Sequence, residues 1–202
     1  MRIAVLGAGS WGTALAVLLH KNGHEVTLWS HEEEQIVPIL RERENKRFLP
    51  GINIPESILC TAEMAAAVKG AKAAVLAVPS QAIRSVAAAL QGHIARDVVL
   101  INVAKGFENG SLLRMSEVIM QELPQNTAAV LSGPSHAEEV ARHLPTTVVA
   151  AAQEHDTAEW VQDLFINENF RVYTNDDMLG VEIAGALKNI IALGCGISAG
   201  VG

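Results

Sequence analysis

The chain opens with the apolar stretch Ile3 to Leu6 and then the run GAGSWG, in which Gly7, Gly9 and Gly12 are spaced G-x-G-x-x-G. A helical pattern of small and apolar residues, Ala14 to Leu19, follows directly. No other feature narrows the fold as far. A strand running through a glycine turn into a helix starts a βαβ unit, and a second apolar run at 25–29 arrives at the distance such a unit needs. Each glycine has its own reason. Gly7 makes the turn, Gly9 lets a ligand approach bare backbone, and Gly12 lets helix and strand pack closely. The unpaired amides at the helix start, with the positive end of its dipole, then face an anion. The loop reads as a seat for a dinucleotide pyrophosphate, against the plainer reading of a strand-to-helix crossing.

The alternation continues along the chain. Apolar runs at 3–6, 25–29, 73–78, 98–102, 128–131 and 146–151 are predicted strands, and 13–21, 80–90, 111–121 and 158–165 are predicted helices. The charged stretch HEEEQIVPILRERENKR is helical by its pattern, kinked or split at Pro38. This order predicts an α/β fold, Rossmann-like and doubly wound, with a mainly parallel sheet covered on both faces. Half of the residues are hydrophobic while only 4% are aromatic, which suits buried parallel strands and close-packed helices.

Composition excludes several functions. A net charge of −7 argues against a general nucleic-acid surface, and any anionic ligand must be held by local basic groups. No uninterrupted apolar run reaches the ~18 residues of a spanning helix, so no membrane span is expected. The segment before the glycine turn is too short for the apolar core of a signal peptide. Cys60 and Cys195 are too few and too far apart for a metal cluster or a disulfide framework, which points to a reducing cytoplasm.

Turn signals fall just after predicted strands, at Pro79-Ser80, Lys105-Gly106 and Ser132-Gly133-Pro134-Ser135. Open α/β sheets bind ligands at this carboxyl edge, and the glycine loop shares it. Lys105, Gly133 and Ser135 are therefore candidates for holding a phosphate or a hydroxylated substrate. An exposed lysine and, for Ser135, a helix N-cap before His136 are equally open readings. Arg41, Arg43, Lys46 and Arg47 read as a solvated helix face.

The segment VEIAGALKNIIALG is apolar nearly all round, with Lys188 and Asn189 at its centre. Such a helix is expected to be buried, and a lysine is almost never buried unless paired or neutralised. Its neighbours at three and four positions, Ala184, Gly185, Ile191 and Ala192, are mostly small, which leaves room beside the ammonium for another molecule. Glu182, six positions back, is poorly placed to pair with it inside the helix. Lys188 reads as a functional lysine rather than a snorkelling one.

Taken in order, GAGSWGTALA, HEVTLW, FLPG, AVPS, AKGFE, LSGPSHAEEV and GALKNIIALGCG resemble the NAD(P)-dependent glycerol-3-phosphate dehydrogenases of the bacterial type, across essentially the whole chain. The resemblance implies reversible hydride transfer at C2 between dihydroxyacetone phosphate and sn-glycerol 3-phosphate, which supplies phospholipid synthesis. It implies NADP(H) or NAD(H) as cofactor, with Ser10, Trp11, His31, Lys105 and Ala137 in contact with it beside Gly7, Gly9 and Gly12. Lys105, Gly133, Ser135 and Lys188 would line the substrate site. Lys188 would accept the C2 hydroxyl proton in oxidation and donate it in reduction. The domains implied are 1–177, which binds the dinucleotide, and 178–202, the first helix of a helical substrate domain. In the family that domain continues with a late Asp and a Ser-Arg-Asn cluster, neither of which stands in these 202 residues. A phosphorylated small molecule is the expected partner, and a homodimer is left open.

Two other classes stay open. A β-hydroxyacid or ketopantoate-type dehydrogenase shares the fold and a helix-borne lysine, but the Ser-Gly-Pro turn and AKGFE speak against it. A non-catalytic dinucleotide sensor has no evident use for a lysine beside small residues. The second predicted strand ends at Trp29-Ser30-His31 without an acid at its tip, although Glu32, Glu33 and Glu34 follow at once. An acid there would accept a bond from the ribose of NAD, so NADPH is expected to be accepted at least as well as NADH. His31 reads equally as a cofactor contact or as a surface residue at a helix start.

Overall fold

In the computed structural model, which describes residues 1–202, the opening unit is β1 (Arg2–Leu6), α1 (Ser10–Lys21) and β2 (Glu25–Trp29). Then come α2 (Glu33–Glu42), a hairpin of β3 (Glu44–Asn45) and β4 (Leu49–Asn53), β5 (Leu59–Thr61) and α3 (Met64–Val68). β6 (Ala73–Leu76) leads through a 3₁₀ turn, Ser80–Ala82, into α4 (Ile83–Leu90). β7 (Val99–Asn102), α5 (Met115–Glu122), β8 (Ala128–Ser132) and α6 (Ala137–Ala141) follow. β9 (Thr146–Ala152), α7 (His155–Phe165), β10 (Phe170–Asn175) and α8 (Met178–Val201) close the order.

Eight strands form one sheet in the order β10-β9-β8-β7-β6-β1-β2-β5. Neighbours run parallel except β8 and β9, where Ala129 lies opposite Ala152 in an antiparallel pair. The expected mainly parallel, doubly wound sheet is therefore present. Successive residues of β1 face opposite layers. Ile3 and Val5 pack into a core shared with α1, α2, α6 and α7, whereas Ala4 and Leu6 pack with α3, α4 and α5. Burial on both faces is why this strand reads as an unbroken apolar run. From β1 the chain winds outward through β2 to β5, then returns to β6 on the other side of β1. That reversal opens a crevice over the carboxyl ends of β1 and β6.

Several local expectations are corrected. Pro38 does not split α2, which runs unbroken to Arg43, a residue in the left-handed region at φ 51°. The helix expected from 111 begins only at Met115, because Leu112, at φ 59°, closes a turn on Glu108 first. β10, β5, α3 and the β3–β4 hairpin were not among the predicted elements.

α8 departs furthest. An all-round apolar helix is expected to be buried, yet Glu182 is its sole buried residue, and Leu187, Ile190 and Ile191 are 42%, 67% and 65% exposed. Its packing is against β8 and β9, and every residue from Asn189 onward is exposed. Hydropathy reports which faces can be buried, not what lies beside them. At 24 residues α8 is also long and apolar enough, by length and composition, to cross a membrane. Glu182 and Lys188 interrupt it, which hides it from a search for uninterrupted runs.

Arg84 on α4 is the hub of an ion-pair network that ties α4 to the turn before α5 and to α5 itself. Its guanidinium donates to both Glu108 oxygens at 2.7 and 2.9 Å and to Glu122 at 2.6 Å. The bonds from Arg84 and then from Ser111 hold the Glu108 carboxyl at about 2, against an ordinary 4.5. A carboxylate with a depressed folded pKa contributes stability that is present above its unfolded pKa and is lost as pH falls through the folded one. The difference in melting temperature between the parent chain and Glu108→Gln is therefore expected to be constant from neutral pH down to about 4.5 and to shrink toward about 2. A difference that stays constant over that window would show that the pair does not carry the effect.

Candidate functional site

Four strand-end loops meet over the crevice. Gly9, Ser10 and Trp11 follow β1, Ala77 to Ser80 follow β6, Val103 to Lys105 follow β7, and Ser135 to Glu138 follow β8; together they line a cleft of about 470 Å³.

The glycines stand as their spacing predicts. Gly7 has φ +119°, and a Cβ on it would sit 2.7 Å from the Ala77 carbonyl carbon at the end of β6. A Cβ on Gly12 would fall inside the Gly7 carbonyl. Gly9 is different, because a Cβ there meets nothing within 4 Å and the backbone faces open space. Gly9 is also the N-cap of α1 and offers no side-chain cap, so the first amides of the helix are left for a ligand. A dinucleotide pyrophosphate fits this donor set.

The loop is also braced from behind. The Ala8 carbonyl accepts hydrogen bonds from Asn45 Nδ2, at 2.8 Å, and from Gln35 Nε2. Asn45 donates as well to Thr13 Oγ1 at 2.8 Å, and both residues are buried. In a trans peptide the C=O and the following N–H point in opposite directions. Pinning the Ala8 carbonyl inward therefore turns the Gly9 amide outward. Gln35 and Asn45 were not among the sequence candidates. Their contacts reach back 27 and 37 residues, and no local pattern signals them.

At the other side of the cleft Lys105 Nζ donates to the Gly133 carbonyl at 2.9 Å. Burial first, and then the charge of Lys188 alongside, push the Lys105 ammonium below the ordinary lysine pKa. Lys188 lies half-buried on α8, where it lines a recess of about 220 Å³ with Ser132, Gly133, Pro134, Ala184 and Gly185. Two neighbouring ammonium groups make a focused positive site in a chain of net charge −7. The half-burial of Lys188 corrects the expectation of full burial. Some of the room read from its small neighbours is used for packing, since a Cβ on Gly185 would stand 2.6 Å from Ser132 Oγ. Ala184 does face the recess.

The two open readings of Ser135 are now separable. His136, not Ser135, is the N-cap of α6 and makes no side-chain cap bond. The Ser135 hydroxyl instead donates to the Gly133 carbonyl at 3.4 Å and lines the cleft.

His31 stands outside the cleft lining, exposed at the end of β2. The Glu32 carboxylate lies 3.7 Å from His31 Nε2 and 3.6 Å from Arg47 Nη1. Lys46 and Arg47 belong to the β3–β4 turn rather than to a helix face, which corrects their sequence reading. The tip of β2 thus presents one acid flanked by two basic groups. The cleft gathers Gly9, Ser10, Trp11, Lys105, Ser135 and Ala137, and Lys105 joins it to the recess of Gly133 and Lys188. Gly7 and Gly12 are buried beneath the loop.

Comparison with known proteins gives this geometry a family. The family model described as the NAD-dependent glycerol-3-phosphate dehydrogenase N-terminus matches residues 2–158, and the corresponding C-terminus model matches residues 177–202. A glycerol-3-phosphate dehydrogenase [NAD(P)+] of Moorella thermoacetica is 54% identical over 200 residues, covering 99% of this chain and 59% of that protein. One from Clostridium perfringens is 50% identical over 201 residues, covering 100% of this chain and 61% of the relative. The crystal structure of the Coxiella burnetii glycerol-3-phosphate dehydrogenase superposes with a TM-score of 0.92 at 40% identity, over 98% of this chain and 61% of that one. The chain thus spans about three fifths of the length of the relatives it matches. With its glycine loop, its lysine pair and a match from residue 2 to 158 in one family model, the chain belongs to the NAD-dependent glycerol-3-phosphate dehydrogenases.

Proposed function

We propose that the protein carrying this chain is an oxidoreductase that interconverts dihydroxyacetone phosphate and sn-glycerol 3-phosphate with NAD(P)H or NAD(P)+. The carrying observation is that the Lys105–Lys188 pair adjoins the cleft headed by the glycine loop. Residues 1–177 hold the dinucleotide, and residues 178–202 open the substrate domain. The α1 amides and the Gly9 backbone would hold the pyrophosphate, and Ser10, Trp11 and Ala137 would line the cofactor path. A bound nicotinamide supplies or accepts the hydride.

The chain's own residues supply placement and charge. Lys105 stands between cofactor and substrate, where Gly133 and Ser135 shape the wall. Lys188 hands a proton to the ketone oxygen as negative charge builds there, and takes it back in the oxidative direction. Its ammonium also stabilises the developing alkoxide. The reaction supplies glycerol 3-phosphate for phospholipid synthesis in the cytoplasm, and homodimer assembly belongs to the same reading.

Substrate profiling of the complete enzyme tests this function. NADPH oxidation is expected to depend on dihydroxyacetone phosphate and to be far slower with unphosphorylated dihydroxyacetone or with ketopantoate. Comparable rates with ketopantoate would move the protein to the hydroxyacid dehydrogenases, and binding without turnover of any of them would make it a sensor.

Cofactor choice is a separate expectation. Arg47 offers a positive partner and His31 a ring nitrogen donor for a 2′-phosphate, and Glu32 offers an acceptor for a 2′-hydroxyl. NADPH should bind at least as well as NADH, with modest discrimination. A titration in which NADH binds a hundredfold tighter would reject this.

A further inference from the structure

The one buried residue of α8 is a carboxylate that none of the roles above uses. Glu182 is 8% exposed. Its Oε1 accepts from the Ser116 amide at 2.9 Å, and its Oε2 accepts from Ser116 Oγ at 2.6 Å and from Arg114 Nη1 at 2.9 Å. Ser116 lies in the first turn of α5, so the carboxylate also meets the positive end of that helix. Arg114, the N-cap of α5, is bridged through its backbone to Phe107, two residues after Lys105. One loop therefore carries Lys105 at its start and the Glu182 anchor at its end, while α8 carries Glu182 and Lys188.

Otherwise α8 packs on β8 and β9. Apolar packing is non-directional, and the half of the helix beyond Lys188 is exposed. A charged, three-donor anchor is directional. Lys188 lies six residues on, about 9 Å along the axis and about 120° round it. Close approach of Gly185 to Ser132 gives a second point of registration between them. A small rotation about the axis is amplified at the tip of a long side chain, and misplacement of a reacting group by about 1 Å can cost about a hundredfold in rate.

We propose that Glu182 is a positioning residue for Lys188: anchored by Ser116 and Arg114, it sets the rotation of α8 that holds the Lys188 ammonium beside Lys105. This rests on the reading of Lys188 as the proton donor.

A double-mutant cycle in the complete enzyme tests it. Glu182→Gln is expected to lower kcat by about 10- to 100-fold and to leave cofactor affinity within about twofold. In a Lys188→Met background the same substitution should cost less than about twofold further, because there is no ammonium left to position. An equal loss in both backgrounds, or a normal kcat for Glu182→Gln, overturns the proposal. If Glu182→Gln does not fold, Ser116→Ala removes two hydroxyl contacts at most and is carried through the same cycle. It is expected to give a smaller loss that also vanishes beside Lys188→Met, and a loss that persists overturns the proposal. Near-normal turnover by Lys188→Met alone would sink the reading of Lys188 and the positioning role with it. An inactive Lys188→Met with an independent Glu182 effect would sink the positioning role only.

Discussion

Lys188→Met in the complete enzyme is expected to lower turnover in both directions by on the order of a hundredfold or more, while cofactor affinity stays nearly unchanged. Delivery of hydride to a ketone carbon leaves negative charge on its oxygen, and a donor within about 3 Å must meet it. Lys188 lines a recess next to the cleft headed by the glycine loop, where the proposed function puts that donor. Lys105 is held toward the wall of the cleft, where its ammonium donates to the Gly133 carbonyl at 2.9 Å. Burial first, and then the charge of Lys188, lower the Lys105 pKa, so two positive charges are neighbours at this end of the sheet. An anionic substrate entering between them relieves that repulsion. Methionine keeps the apolar stem, and Lys188 is only half-buried, so the melting temperature should barely move. On the proposed reading cofactor affinity rests on the α1 amides on the far side of the cleft, and it should be spared. Near-normal turnover with an unchanged pH profile would make Lys188 a packing or anchoring residue.

The second large effect is expected at the glycine loop, where two substitutions of equal size should behave differently. Gly12→Ala places a methyl group inside the Gly7 carbonyl, so α1 must move away from the end of β1. Overpacking of this kind costs about 1–3 kcal/mol, occasionally more, and the helix amides move with the backbone. Gly12→Ala should therefore lose both stability and dinucleotide affinity, the latter by at least about tenfold, as misaligned charge-assisted hydrogen bonds imply. Gly9→Ala adds its methyl to open space, at a φ of −73° that alanine accepts. It should melt like the parent and lose only affinity. Thermal melts with and without NADPH separate the two. Equal melting temperatures for the two variants would mean that the tight contact at Gly12 is not what holds α1 to the sheet.

The parts of this site that were legible in the sequence are those whose physics is local. The glycine spacing, the βαβ rhythm and the strand-end turns each reflect a few consecutive residues, and the structure brings Gly9, Ser10, Trp11, Lys105 and Ser135 to one cleft. Lys188 stood out because a charge in an apolar helix is costly unless something answers it, although α8 proves largely exposed and Lys188 half-buried. What stayed hidden is long-range. Asn45 lies in a charged stretch that reads as a helix face, and its role under the glycine loop depends on a hairpin that the pattern does not announce. Glu182 was weighed only against its own helix, where no partner exists; its partners lie 66 and 68 residues away. β10 was missed because FRVYTN is buried on one face only, at the sheet edge, and half its residues are polar or charged. The burial of α8 was overestimated for the opposite reason, since composition alone cannot place a neighbour beside an apolar face.

The most direct test is a structure of the complete enzyme with NADPH and an unreactive analogue of dihydroxyacetone phosphate. The pyrophosphate should lie on Gly9 and the first turn of α1. The analogue's carbonyl or hydroxyl oxygen should lie within about 3 Å of Lys188 Nζ, as proton transfer requires, with Lys105 between substrate and cofactor. A ligand held instead near Arg41, Arg43 and Lys46, or an analogue seated away from both lysines, would contradict it.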